Sequence, residues 1–587
     1  MLKFKKFFIG LEKKYKVSAV LAPVTIMGEV LMEVFIPLIM ARIIDIGIAN
    51  HDAAYVTKTG LLMIMVAVIS LSLGFVSARF AAVAALGFAR NLRRRLFYKV
   101  QDFSFSNVDK FSTASLVTRL TTDVTNTQNT FQMIIRMCFR APFMFISAIV
   151  MSIYVNARMS IVFIFSVPII TIAAVLIMRK AFPLFEVMMK KYDKLNAVVQ
   201  ENLTGIRAVK AFVREDHETQ KFRDAAEAVR ASQVKAEKIV IFNMPVMMMV
   251  MYLSIIAILW FGGNFIIRGD MLVGELISFI TYSAQILSSL MMISMIFVML
   301  VISKASLNRI SEVLDEQPDI ADPPESEQIL QVPDGSIVFK NVFFSYDKTM
   351  KNAVLQDVNL EIKSGQTVGI IGGTGSSKTT LVQLIPRLYD TLQGTVFVGG
   401  HDVKTYALQT LRNSVSMVLQ KNVLFSGTIN ENLRWGNPQA TDKDLEEVCK
   451  TACAYDFITS FPGGFNTMLG QGGVNLSGGQ KQRLCIARAL LKKPWILILD
   501  DSTSAVDTAT DARIREAMKN TLPETTKIII AQRISSVKEA DVIFVMDEGK
   551  ITGFGTHEEL LKTNSIYKEV FESQQNGNVD LDSAKSE

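Results

Sequence analysis

The stretch Gly372-Gly373-Thr374-Gly375-Ser376-Ser377-Lys378-Thr379-Thr380 combines the residue types that hold phosphate. It follows the apolar run Thr367-Val368-Gly369-Ile370-Ile371 and opens a helical pattern, the strand-to-helix setting that a phosphate-binding loop requires. Backbone N–H groups in such a loop, with the helix N-terminus behind them, form a nest for an anion. Lys378 would neutralise β- and γ-phosphate oxygens, and the Thr379 hydroxyl would ligate Mg²⁺. Ser377 stands where the motif has glycine, so a side chain sits where backbone and phosphate must approach closely. Three further segments carry groups suited to the same chemistry. Leu476-Ser477-Gly478-Gly479-Gln480-Lys481-Gln482-Arg483 places small residues at a predicted helix start; the apolar strand Trp495-Ile496-Leu497-Ile498-Leu499 ends in Asp500-Asp501; and Ile528-Ile529-Ile530 ends in Ala531-Gln532-Arg533.

These residues need a scaffold, and the composition indicates two kinds. At 587 residues the chain is long enough for two or three domains. Half of it is hydrophobic and only 20% is charged, above the apolar share of a soluble protein, so a membrane portion is expected. The net charge of +7 does not call for nucleic acid, because most basic clusters flank apolar spans and positive-inside topology accounts for them. Cys138, Cys449, Cys453 and Cys485 show neither metal spacing nor a disulfide framework, and Cys449 and Cys453 read as packing residues four apart on a helix. No secretory signal is expected, since the first apolar run is too long and more spans follow.

Six apolar stretches, near 18–48, 58–88, 131–155, 158–178, 239–267 and 273–303, each supply the roughly 20 residues of a spanning helix. The loops after spans two and four are long and basic, with Arg90, Arg93, Arg94 and Arg95, then Arg179, Lys180, Lys190 and Lys191. This asymmetry puts both termini and both long loops in the cytoplasm of a multi-pass protein. Lys3 to Lys16 has the i, i+3, i+4, i+7 pattern of an interfacial helix, with a disordered basic leader as the alternative. Inside the spans, Glu29 and Glu33 share one helical face, as do Arg136 and Arg140. Acid–base pairing between the helices is one reading; snorkelling arginines and a solvated cleft for the glutamates is the other. Met244, Met247, Met248, Met249 and Met251, with Met291, Met292, Met295 and Met299, either line an adaptable apolar surface or simply pack. After Leu314 a polar, Pro-containing linker leads to alternating strands and helices with a parallel-sheet core.

In order and spacing, these segments resemble those of the ATP-binding cassette (ABC) exporters. The resemblance implies a six-helix, all-α transmembrane domain over 1–310, a linker over 311–335, and an α/β P-loop ATPase domain with a helical subdomain over 336–573; a polar tail, 574–587, is expected to be disordered. It also implies roles. Tyr346 would stack on adenine, and Gly372 to Thr380 would hold the phosphates of ATP. Thr379, Gln420 and Asp500 would hold Mg²⁺, with Gln420 as the Q-loop. Ser477, Gly478, Gly479 and Gln480 would meet the ATP of a partner, and Asp507, in Ser504-Ala505-Val506-Asp507, would be the D-loop residue. The stretches Phe111 to Asp123 and Glu201 to Phe212 resemble coupling-helix regions.

Two positions depart from the family pattern. The residue after Asp500 is normally Glu and here is Asp501; the residue at Gln532 is normally His. With the intact signature, these departures make the chain look like the degenerate-site half of a heterodimeric exporter of hydrophobic or amphipathic compounds in the plasma membrane. Its partner would be a second half-transporter carrying the usual Glu and His. The alternatives are a homodimer using Asp501 as base, and an ATP-gated membrane regulator that does not pump.

Overall fold

The computed structural model describes residues 12–501 and 506–583. The segment expected to form the interfacial helix lies mostly outside them. By internal contacts the chain divides into two units, one of Met1–Gln101 and Thr113–Glu316, the other of Asp102–Ser112 and Gln317–Glu587.

The first unit is helical. Its described residues contain six helices long and apolar enough to cross a membrane: Lys13–Ile48, Ala53–Gln101, Thr113–Val155, Ile161–Thr204, Glu215–Ile267 and Val273–Ile293. We label its principal segments α1 (Lys13–Arg42), α2 (Ala53–Gln101) and, after the short α3 (Phe105–Phe111) and α4 (Thr113–Thr118), α5 (Val124–Val155), α6 (Ile161–Thr204), α7 (Ile206–Ala211), α8 (Glu215–Val240), α9 (Asn243–Ile267) and α10 (Val273–Asp315). Chain turns fall where the sequence weakens a helix. Gly205 separates α6 from α7, and Ser112, at φ 53°, separates α3 from α4.

Helix contacts in this unit include a charged one. Arg140 of α5 bridges the two acids of α1, pairing with Glu29 and, through Nη2, with Glu33 Oε2 at 2.7 Å. Gly74 of α2 lies close by: a Cβ at that position would come within 2.9 Å of the Glu29 carboxylate, which would have to shift. Mutual neutralisation lowers the cost of placing such groups among apolar helices. Arg136 takes no part in these two pairs. The methionines divide between two uses. Met247 packs with Ile170, Val250 and Leu287, and Met251 and Met291 lie against that cluster; Met244, Met248, Met249 and Met295 are exposed. Farther along the chain, Arg309 of α10 pairs with the fully buried Asp123, and Arg119 donates to the Arg309 carbonyl at 2.8 Å.

The second unit is α/β. A six-stranded sheet has the order β12-β11-β3-β10-β9-β6, from β3 (Thr367–Gly372), β6 (Val415–Val418), β9 (Ile496–Asp500), β10 (Thr526–Ile530), β11 (Val542–Asp547) and β12 (Lys550–Gly555). Pairing is parallel except for the edge hairpin β11–β12. All five residues of β9 and of β10 are buried, which explains the apolar runs Ile496–Leu499 and Ile528–Ile530 within them. An antiparallel sheet β2-β1-β4-β5 is built from β1 (Ile337–Phe344), β2 (Leu355–Ile362), β4 (Gln393–Val398) and β5 (His401–Asp402); β7 (Gly427–Thr428) and β8 (Met468–Leu469) pair separately. One core joins the antiparallel sheet to the parallel one, and a second joins the parallel sheet to the helices that include α11 (Gly478–Leu490), α12 (Thr508–Thr521), α13 (His557–Thr563) and α14 (Ser565–Ser583). Cys449 and Cys485 are buried in that second core, and burial pushes the Cys449 thiol up to about 12.

Around the expected domain boundaries the chain is structured. Helix α10 runs to Asp315, one residue past the helical spacing that ends at Leu314, with Pro318 close behind. Of the expected linker, Val332 is buried in the nucleotide unit's core and Ile329 bridges to Tyr406. Helix α14 continues to Ser583. In the first coupling-like region, the segment that groups with the nucleotide unit is Asp102–Ser112, which overlaps the stretch singled out from sequence only at Phe111 and Ser112.

Candidate nucleotide site

Four consecutive parallel strands, β3, β10, β9 and β6, end at the same edge of the sheet, and each releases one site segment there. Ligands of open α/β sheets bind outside the carboxyl ends of strands. After β3 comes the phosphate loop, after β9 Asp501, after β10 Gln532, and after β6 Gln420. Register does the rest: Ile530 lies opposite both Asp500 and Ile370.

The phosphate loop is tightly folded. A Cβ on Gly372 would lie 2.1 Å from the Met546 carbonyl, so only glycine fits against β11 there. Gly375 has φ 86°. Lys378 Nζ donates to the carbonyls of Gly372 (2.9 Å) and Gly373 (2.8 Å) and to Ser376 Oγ (3.1 Å), and burial lowers its pKa. A phosphate would replace neutral oxygens around this ammonium by charged ones. Thr379 Oγ1 donates to Asp500 Oδ1 at 2.9 Å, and Asp500 is 2% exposed. Burial raises the Asp500 carboxyl, while the Thr379 bond opposes that rise. A hydroxyl beside a carboxylate offers two hard oxygen donors, which suits Mg²⁺ completed by phosphate and water oxygens. The Thr380 hydroxyl meets the Tyr346 hydroxyl at 2.8 Å, and the half-exposed Tyr346 ring stands edge-on to Phe344 and Tyr389.

Ser377 occupies the left-handed region, at φ 69° and ψ 23°. For an L-residue this conformation costs roughly 1–2 kcal/mol, the physical reason for glycine at this place in the motif. Ser377→Gly is therefore expected to stabilise the nucleotide unit by roughly 1 kcal/mol after the extra unfolded-state entropy of glycine is subtracted. Thermal unfolding of the full chain without nucleotide reads this. A lowered melting temperature would mean that the serine side chain makes a compensating contact.

The two departures from the family pattern sit side by side. Gln532 Nε2 donates to Asp501 Oδ2 at 2.9 Å, and the Gln420 side chain also hydrogen-bonds that carboxylate. Asp501 is itself left-handed, at φ 46°, with its N–H bonded to the Ile530 carbonyl at 3.0 Å. Burial raises the Asp501 carboxyl, and the two amides pull it back. The acid is thus turned toward amides on both flanking strand ends.

The remaining predicted residues lie elsewhere in the unit. Ser477 is the N-cap of α11: its Oγ accepts from the Gln480 N–H at 3.3 Å, and Gln480 Oε1 accepts from the Ser477 N–H at 2.9 Å. Gly478 and Gly479 then lead the helix, where N–H groups have no intrahelical partner. Asp507 caps α12, accepting from the Thr510 N–H at 2.9 Å, and these hydrogen bonds lower its pKa. Ser504 and Ala505 lie outside the described residues. Two side chains near the site were not singled out from sequence. Tyr389 donates to Asp109 of α3 at 2.7 Å, beside Tyr346, and Gln574 of α14 reaches the backbone of the Gln532 segment.

Comparison with known proteins agrees with this architecture. Residues 20–305 match the family described as the ABC transporter transmembrane region, and residues 355–504 match the family described as ABC transporter. The chain is 38% identical over 562 residues to the uncharacterized ABC transporter ATP-binding protein YfiB of Bacillus subtilis strain 168, covering 96% of this chain and 97% of that protein. It is 32% identical over 485 residues to a protein of Desulfotalea psychrophila named ATP-dependent lipid A-core flippase, covering 83% and 84%. The fold matches that of a bacterial Atm1-family ABC exporter solved with ATP bound, at a TM-score of 0.80 and 24% identity over 96% of this chain and 98% of the other. The chain belongs to the ABC transporter family, as a multi-span membrane region and an ATP-binding region fused in one polypeptide.

Proposed function

We propose that the chain is one half of a heterodimeric exporter that moves hydrophobic or amphipathic compounds out across the plasma membrane, with both termini cytoplasmic. Its own phosphate loop binds ATP and turns it over poorly, and its signature completes the hydrolytic site of a partner. The observation that carries this reading is the Asp501 carboxylate, held by the amides of Gln532 and Gln420. A general base must reach its water within hydrogen-bond distance. Asp501 is shorter than glutamate by one C–C bond, about 1.5 Å. Gln532 can hydrogen-bond but cannot carry the charge of an imidazolium.

In this reading Tyr346 stacks on adenine, and residues 372–380 hold the phosphates, with Lys378 exchanging loop carbonyls for phosphate oxygens. Thr379, Asp500 and Gln420 hold Mg²⁺, which when bound neutralises charge developing on the phosphate oxygens. Ser477, Gly478, Gly479 and Gln480 present a helix N-terminus to the γ-phosphate on the partner, with Asp507 at the same junction. The partner carries Glu and His at the two positions altered here. Amphipathic cargo is in keeping with the name of the flippase relative, and with the exposed methionine side chains.

A second reading, a homodimer that uses Asp501 as its base, rests on the burial that raises that carboxyl. Steady-state ATPase of the chain purified alone in lipid, with nucleotide binding measured in parallel, separates the two. Binding with negligible turnover, unchanged by Asp501→Asn, is the expected result. Robust turnover abolished by Asp501→Asn would overturn the heterodimer reading.

A further inference from the structure

Helix α14 ends its packed portion on a side chain that grips the backbone beside the site. Gln574 Nε2 donates to the Gln532 carbonyl at 2.7 Å, and Gln574 Oε1 accepts from the Ile534 N–H at 2.9 Å. One planar amide thus spans the segment that carries Gln532. The Ile534 N–H opens the 3₁₀ turn Ile534–Ser536, a position whose donor has no partner within the turn. From Gln532 the path continues through its side chain to Asp501.

The helix is built to hold Gln574 there. Asn564 caps its start, accepting from the Tyr567 N–H at 2.9 Å. Tyr567, Val570, Phe571 and Gln574 follow at i, i+3, i+4 and i+7, and so share one face. The first three pack on the core that contains Ile534, Val537 and Leu560, and the Tyr567 hydroxyl meets His557 Nδ1 at 2.8 Å. The apolar part of the stripe fixes the helix; its polar end reaches the site segment.

We infer that Gln574 is a positioning residue, and that the C-terminal helix sets where the side chain at 532 stands relative to Asp501. Because Gln574 reads only backbone atoms, the grip is independent of which side chain occupies 532. The inference rests on the proposed role of Gln532 at the nucleotide site, and not on which subunit of a dimer hydrolyses ATP.

The test uses the full chain in lipid with Gln574→Met, which keeps length and packing but loses both hydrogen bonds, and Gln574→Glu, which keeps only the acceptor. Hydrogen exchange at Ile534 is read first, with melting temperature and ATP affinity as controls. Single-turnover ATP cleavage is then followed in an Asp501→Glu/Gln532→His background. Gln574→Met is expected to speed exchange at Ile534 by about three- to tenfold, the loss of one net hydrogen bond. It should lower the maximal cleavage rate without shifting the ATP concentration for half-maximal rate. Gln574→Glu should keep Ile534 protected yet lower the rate, since a carboxylate then faces the backbone carbonyl of residue 532. Unchanged exchange at Ile534 in Gln574→Met overturns the inference, as does a parallel fall in melting temperature and ATP affinity, which would mark a packing role alone. If the double-variant background cleaves no ATP, that counts against the reading of residues 501 and 532, and exchange alone decides the grip.

Discussion

Asp501→Glu combined with Gln532→His is expected to raise ATP turnover by dimers of this chain by about 10²–10⁴-fold, the range that a well-placed general base supplies. The two substitutions should act together and not additively, because the side chains touch. Glutamate alone would push its longer arm into the Gln532 amide, now 2.9 Å from the carboxylate. Histidine alone would face an acid that stops one bond short. The signature needs no repair, so two copies of the double variant can complete each other's sites. A restored histidine also brings a titration near its ordinary value of about 6.5, so turnover should gain a pH-dependent limb that the parent lacks. Steady-state ATPase of dimer-sized particles in lipid, across pH, is the measurement. A double variant that binds ATP and remains as slow as the parent would place the defect elsewhere in the site.

The second large effect is expected in trans. Ser477→Asp keeps a good N-cap for α11, since aspartate serves that position about as well as serine. It also sets a fixed negative charge where the γ-phosphate of the partner's ATP would dock. Folding is therefore spared and function is not. Turnover by the proposed heterodimer should fall by about 10²–10³-fold, the loss seen when a preorganised anion-stabilising group is removed. Nucleotide affinity of this chain's own phosphate loop, read with a fluorescent ATP analogue, should stay unchanged. Full heterodimer activity with Ser477→Asp would show that this helix start does not meet a phosphate.

Much of the nucleotide site can be read in the sequence, because its parts are short and contiguous. The phosphate loop is nine adjacent residues, and the helix start at Ser477 is marked by a cap with Gln480 three positions on. The i, i+4 spacing of Glu29 and Glu33 likewise points to one helix face, and Arg140 finds it. Spacing alone does not choose between Arg136 and Arg140, since that depends on how α5 is rotated against α1. Contacts set by strand register are also hidden. Asp501 and Gln532 meet only because β9 and β10 pair with Ile530 opposite Asp500. Gln574 is the extreme case: it follows Gln532 by 42 residues and is embedded in a polar run whose composition argues for disorder. The helix persists because Tyr567, Val570 and Phe571 anchor its first turns in the core.

Helix α3 has a consequence for how the chain can be divided. It lies in sequence between membrane-spanning segments, yet it groups with the nucleotide unit, through the Tyr389–Asp109 hydrogen bond and the edge-on stacking of Phe105 against Tyr389. The two units are therefore interleaved along the polypeptide, and no single peptide bond can be cut to release both intact. Severing the chain after Glu316 would free a nucleotide unit that lacks residues 102–112 and leaves one side of Tyr389 bare. On a ribosome, the same interleaving means that the first piece of the nucleotide unit is made before most of the membrane helices, and waits more than 200 residues for Tyr389, against which it packs.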